Sequence, residues 1–218
     1  MGHSQHESET SLGQAHFHFS LIKKRIISLQ ATVEQLSKID LSLDYVIDLS
    51  LDYVIGLDHA YLNIRKIIEE LLLLSVSAHE TAGSDLSIRL RKEWNAIKIM
   101  KGLERINPRF FPDAIKIVPS ADEDTAGRFV SVDDDYLTRG FAAEMYNLCG
   151  TVLHASNKRL AREVASDRYV KAKRFDLEVR RLLETFEIDV NGEGFMVLGH
   201  LNLEINGPPK LFSASSGD

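Results

Sequence analysis

Apolar positions in this chain fall first on a helical period. Phe19, Ile22, Ile26, Leu29, Val33 and Leu36 alternate spacings of three and four, which puts all six on one seam. Such a seam packs either inside its own domain or against a second chain as a dimer seam. Leu57, Tyr61, Ile64, Ile68, Leu71 and Leu72 continue as a strongly apolar helix to about His79, which Ala82, Gly83 and Ser84 close. Ser84 or Asp85 is the expected cap of a third helix with Leu86, Leu90, Trp94, Ile97, Met100 and Leu103 on its buried face. Asn107-Pro108 ends it, because a residue before proline is pushed out of the helical region.

From 107 to 133 the period is lost, with Pro108, Pro112 and Pro119 along the way and two short strand-like runs, Ile115 to Val118 and Arg128 to Val132. Asp133 to Asp135 are then placed to cap a fourth helix whose apolar face is Leu137, Phe141, Met145, Leu148 and Val152. A fifth helix follows from about Lys158 to Phe186, facing inward through Phe175, Val179, Leu182 and Phe186. Beyond it the period changes to two. Phe195, Val197, Leu201, Leu203 and Ile205 sit at odd positions, and Asn191-Gly192 supplies a tight turn that pairs them with Phe186 to Val190.

The expected architecture is therefore mainly α: a bundle of about five helices carrying a small carboxy-terminal β-hairpin. Residues 1–15 read as a disordered leader, 16–186 as the bundle, 187–212 as the hairpin and 213–218 as a disordered tail. One feature stands outside this scheme. Leu41 to Asp48 is repeated almost perfectly by Leu49 to Gly56. An eight-residue step turns a helix by about 80° beyond whole turns. The two copies therefore cannot show one neighbour the same face, and the repeat reads as a local duplication.

Composition narrows the function classes. A net charge of −6 argues against general attraction to nucleic acid or anionic lipid. The single cysteine, Cys149, permits no internal disulfide and no cysteine-based zinc site, which fits a reducing, cytoplasmic setting. The longest greasy run, Ile67 to Val76, is broken by Glu69, Glu70 and Ser75, short of the roughly 20 residues a membrane span needs. The phosphate-binding GxxxxGK[ST], GxGxxG, HExxH and GxSxG patterns are all absent, which disfavours P-loop, Rossmann, zincin and α/β-hydrolase chemistry. His16 and His18 diverge on a helix, Asp58-His59 and His79-Glu80 point apart, and no third ligand joins any of them, so no metal or cofactor is expected.

Chemistry, if present, centres on Cys149 to Asn157. Cys149 and His154 could form a thiolate–imidazolium couple. Five residues along a helix correspond to about 140° of turn, so the couple needs the helix to break near Leu153, and a buried structural cysteine is the plainer reading. On the helix Asn147, Gly150 and His154 share a stripe instead. The following helix, from Lys158 to Arg181, carries nine basic residues against four acids, among them Lys158, Arg159 and Arg162. That face either binds RNA phosphates or is a solvated face balanced by the chain's own acids.

The run Cys149-Gly150, Leu153-His154-Ala155 and Asn157, late in a helix of a helical protein, resembles a segment of bacterial helical proteins. More loosely, it is similar to the motif of HEPN-domain proteins, many of them ribonucleases of toxin–antitoxin and phage-defence systems. The resemblance implies a HEPN-like helical fold, often dimeric, with His154 at the histidine position and Gly150 at the polar one. Cys149 stands where the family has arginine, and a thiol cannot replace a permanent cation on phosphate oxygens. The sequence thus points to a non-catalytic binding or regulatory module, with RNA or a cognate protein as partner and a homodimer as its assembly. The alternative is a metal-independent ribonuclease using His154 and Asn157, with Asn147, Lys158, Arg159 and Arg162 binding the substrate.

Overall fold

The computed structural model describes residues 2–39, 51–81, 89–93, 95–119, 128–133, 135–154, 161–192, 194–204 and 207–215. Two long helices, α1 (Gly2–Ser37) and α2 (Leu51–Thr81), form an antiparallel pair. The whole predicted seam of α1 is buried within the chain, Phe19 to Val33 in one cluster with Ala60, Tyr61, Ile64, Ile67 and Ile68 of α2, and Leu36 in a second with Tyr53 and Leu57. That seam is core. A polar ladder runs beside it: Thr32 meets His59 Nδ1 at 3.0 Å, and the fully buried Asn63 receives Arg25 at 3.3 Å and donates to Ser28 at 3.3 Å. The expected leader is helical too, for α1 begins at Gly2, with Ser11 and Ala15 buried. Small side chains let this turn pack without the large apolar residues that would have announced it.

The third helix is shorter than its apolar pattern predicts. Arg89 and Leu90 are helical and Arg91 and Lys92 form a turn; helix α3 then covers Ala96–Ile106, starting where Asn95 adopts extended backbone and its side-chain oxygen accepts from the amides of Ile97 and Lys98. Ser84, Asp85 and Trp94 lie outside the described residues. Helix α4 (Arg139–Leu153) is capped by Thr138, whose hydroxyl accepts from Phe141 N at 3.2 Å; the aspartates expected to cap it precede that position. Helix α5 runs Arg162–Glu184. Phe186 leaves it to enter a strand, extended from Thr185 onward.

The carboxy-terminal hairpin is part of a larger sheet. Five antiparallel strands, β1 (Asp113–Val118), β2 (Arg128–Ser131), β3 (Phe186–Asp189), β4 (Phe195–His200) and β5 (Lys210–Ser215), lie in the order β2-β1-β3-β4-β5. The predicted β3–β4 pairing is present, with Ile188 opposite Val197 and Gly192 at positive φ in the turn. Two additions were not foreseen. The strand-like runs at 113–118 and 128–131 join β3 through Asp113↔Glu187 and Ala114↔Phe186. Part of the expected tail, Ser213 to Ser215, is paired to Val197, Met196 and Phe195. Ladder hydrogen bonds can carry a polar segment that no hydrophobic alternation marks.

Side chains from both layers share one core. The Phe19 and Phe186 rings meet edge-on at 5.2 Å, and Phe141 and Phe175 are 6.5 Å apart. Phe186 also lies over Gly199, its cross-strand partner, where a side chain would take the place of the ring. Lys23 of α1, buried, donates through Nζ to the carbonyls of Glu204 and Gly207, fastening the link between β4 and β5 to the first helix. No described helix is long and apolar enough to cross a membrane.

Candidate functional site

The segment singled out by sequence begins on the buried face of α4. Phe141, Met145, Cys149 and Val152 recur at helical spacing and all face the core. Cys149 is completely buried, and its Sγ donates to the Tyr61 carbonyl of α2 at 3.3 Å. Burial pushes the thiol up to about 12, far outweighing the pull of the Arg65 guanidinium. Tyr61, also fully buried, continues the chain of contacts: its hydroxyl donates to the Arg168 carbonyl of α5 at 3.1 Å, and burial holds it protonated well above the usual phenol range. Three helices are tied together by groups that do not ionise near neutrality.

The helix does break where a Cys–His couple needs it to. Leu153 is the last residue of α4, and His154 is its extended cap at φ −81°, ψ 130°. The break sends the imidazole to solvent while the thiol stays in the core, so the two do not meet. Asn147 is likewise exposed, on the outer side of α4, and Gly150 is half-buried with open space above it. Asn157, Lys158 and Arg159 lie outside the described residues, and of Arg162 only its place at the start of α5 is described.

The basic helix is largely neutralised by the chain itself. Arg174 binds Glu178 at 2.6 Å and lies over the Phe141 ring, and Arg180 binds the buried Asp176 at 2.8 Å. Arg181 reaches Asp135 at 2.8 Å, and Lys171 lies 3.4 Å from Asp167. One member of the acidic group before α4 thus meets a cation of α5.

No family model matches the chain. No curated protein and no solved structure matches it either. The functional reading therefore rests on the geometry of its own side chains.

Two polar centres escaped sequence reasoning. The first adjoins Cys149: Arg65 of α2 binds Glu69 at 3.0 Å, donates to the Tyr146 hydroxyl of α4 at 3.4 Å and lies over its ring. The i,i+4 pair was visible in sequence; its partner 81 residues away was not. The second lies at the sheet end, where Asp113 and Glu187 are cross-strand neighbours and Asp189 follows on β3. Arg109 faces them, 3.1 Å from Asp189 and 3.9 Å from Glu187. Burial raises Asp113 and Glu187 above the usual carboxylate range, Arg109 opposes the shift, and Asp189 adds to it.

Behind this cluster His79 is buried. Its Nδ1–H donates to the Ser75 carbonyl at 2.8 Å, and the ring approaches Asn107, which itself donates to the Asp189 carbonyl at 2.7 Å. Burial lowers the His79 pKa, so the ring is neutral. A groove of about 230 Å³ opens beside the cluster, lined among others by Arg109, Phe111, Asp113, Tyr136 and Arg139. Arg139 is held by Glu104 at 2.8 Å. Two arginines thus face four carboxylates here, which disfavours an anionic ligand. Among the described residues no group of three or more His, Cys, Asp or Glu is placed to hold a metal ion.

Proposed function

We propose that this chain is a non-catalytic helical binding or regulatory module, with a protein surface as its expected partner. The observation that carries this reading is the separation of Cys149 from His154. A thiol kept protonated in the core is no nucleophile, and the imidazole that could activate it faces solvent. Two further features support a protein partner over nucleic acid. Phosphate binding draws on uncommitted cations, whereas Lys171, Arg174, Arg180 and Arg181 already have carboxylate neighbours. On β1 and β2 the cross-strand partners Ile117 and Phe129 are 64% and 48% exposed, an apolar pair of the kind that interfaces cover.

Incubation of the purified protein with tRNA or total RNA, beside His154→Ala, tests the non-catalytic reading. The expected result is intact RNA with both. Cleavage that His154→Ala abolishes would replace it with the HEPN-like ribonuclease, in which His154 and Asn157 act and Lys158 or Arg159 takes the missing arginine's role. A second arm reverses Arg159 and Arg162 to Glu. The expected RNA affinity is weak and changes little, whereas a steep, salt-dependent loss would make RNA the partner.

A further inference from the structure

From Arg89 to Arg105 the chain places six basic residues against two acids, although its net charge is −6. Helix α3 sets three of the six on one stripe. Ala96, Ile99, Met100 and Leu103 are buried in the core, and Lys98, Lys101 and Arg105, all exposed, fall within an arc of about 60° on the opposite side. The turn before the helix joins this face. Leu90 lies over Gly102, in the space a larger side chain would fill, which seats the exposed Arg89, Arg91 and Lys92 against the flank of the stripe.

The described acids of this region are already engaged. Glu80 binds Arg91, Glu93 lies 3.6 Å from Lys98, and Glu104 binds Arg139 at 2.8 Å. The side chains of Arg89, Lys92, Lys101 and Arg105 have no hydrogen bond or ion pair among the described residues. Helix α5 is the reverse, since its cations have carboxylate neighbours. Solvated faces ordinarily intersperse the two signs. Uncommitted cations gathered on one face are instead complementary to an anionic surface. Half-buried aliphatic side chains border the stripe, Leu90 and Ile106 on one side and Ile97 on the other. A phosphate backbone gives these nothing to pack on, and no described aromatic side chain is exposed here to stack a base.

We propose that this face docks an acidic, amphipathic segment of a partner protein, its carboxylates on the uncommitted cations and its apolar side chains on Leu90, Ile97 and Ile106. The inference rests on the reading of the chain as a protein-binding module and names the chemistry of the partner. It involves neither Cys149 nor His154. RNA cleavage that depends on His154 would therefore remove that reading and leave the docking face to its own test.

The probe is a fluorescent peptide carrying glutamate and leucine on opposite faces of a helix. A second peptide has lysine for glutamate, and a single-stranded RNA of equal charge is the third ligand. Fluorescence anisotropy is expected to show saturable binding of the glutamate peptide, none of the lysine peptide, and weaker binding of the RNA. Lys101→Glu with Arg105→Glu, at exposed positions without partners, should weaken peptide binding at least about tenfold with the circular dichroism spectrum unchanged. Raising salt from about 50 to about 300 mM should weaken it as well, because contacts between exposed charges are screened. Lys24→Glu with Lys173→Glu, also exposed, changes the net charge equally and should alter affinity by no more than about twofold. No binding of the glutamate peptide, binding indifferent to the α3 pair, or equal loss with the Lys24 and Lys173 pair would each overturn the proposal while leaving the module reading standing. RNA bound more tightly than the glutamate peptide, and released by the α3 pair, would overturn both the proposal and the protein-partner reading.

Discussion

The two polar centres of this molecule differ in how their charges are settled. Between α2 and α4, Cys149, Tyr61 and Arg65 have partners that match them, thiol to carbonyl, hydroxyl to carbonyl and guanidinium to carboxylate. At the sheet end Asp113, Glu187 and Asp189 share Arg109, whose side chain is 63% exposed. The first arrangement locks helices together and is indifferent to pH near neutrality. The second stores repulsion where two strands that are distant in sequence meet. Conspicuous residue types therefore mark the quieter of the two regions.

The largest expected effect breaks the lock. Tyr61→Ala should lose about 3–5 kcal/mol by chemical denaturation, since it empties a fully buried aromatic site. Tyr61→Phe keeps the ring and should lose about 1 kcal/mol, the worth of one hydrogen bond to the Arg168 carbonyl. Near-equal losses for the two would show that the hydroxyl, not the packing, holds the helices. The sheet end should respond with the opposite sign. Asp113→Asn removes a like charge facing Glu187 and should stabilise by about 0.5 kcal/mol at neutral pH.

That gain should fade as pH falls through the folded values of Asp113 and Glu187, which burial holds above the usual carboxylate range. The sign follows from the shifts. Asp113 and Glu187 hold protons more tightly folded than unfolded, so their contribution is most favourable at low pH and is lost as pH rises through the folded values. His79 pulls the other way. It stays neutral when folded, so stability falls as pH drops below about 6.5 and the unfolded chain takes up its proton. Comparing variant with wild type at each pH cancels the His79 slope, and a difference that does not vary with pH would remove charge repulsion as the cause. The smallest effect is chemical: Cys149 should react with a thiol reagent only after unfolding, and ready modification of the native protein would contradict its burial.

What the sequence reveals here tracks how local the determining contact is. The α1 seam, the α2 core face and the Asn191-Gly192 turn are written in neighbouring residues, and each is present. The start of α3 turned on one asparagine side chain, a competition that apolar spacing does not register. The full sheet was illegible because Asp113 and Glu187 are 74 positions apart, and β5 is paired through its backbone. At the candidate site, residue type rather than spacing placed Cys149 in the core, since a lone cysteine packs as a small apolar side chain. What spacing could not show was Tyr146 beside Arg65, a meeting of two helices.

Lys23 gives the fold an order of events. Its acceptors, the carbonyls of Glu204 and Gly207, are over 180 positions later in the chain, and Phe19 waits similarly for Phe186. During synthesis the first helix emerges with those groups uncovered, and they cannot be closed until residues 204 and 207 have been made and released from the ribosome. Completion of this core therefore waits on contacts of very long sequence separation, and a chain cut short before Glu204 would present its first helix unfinished.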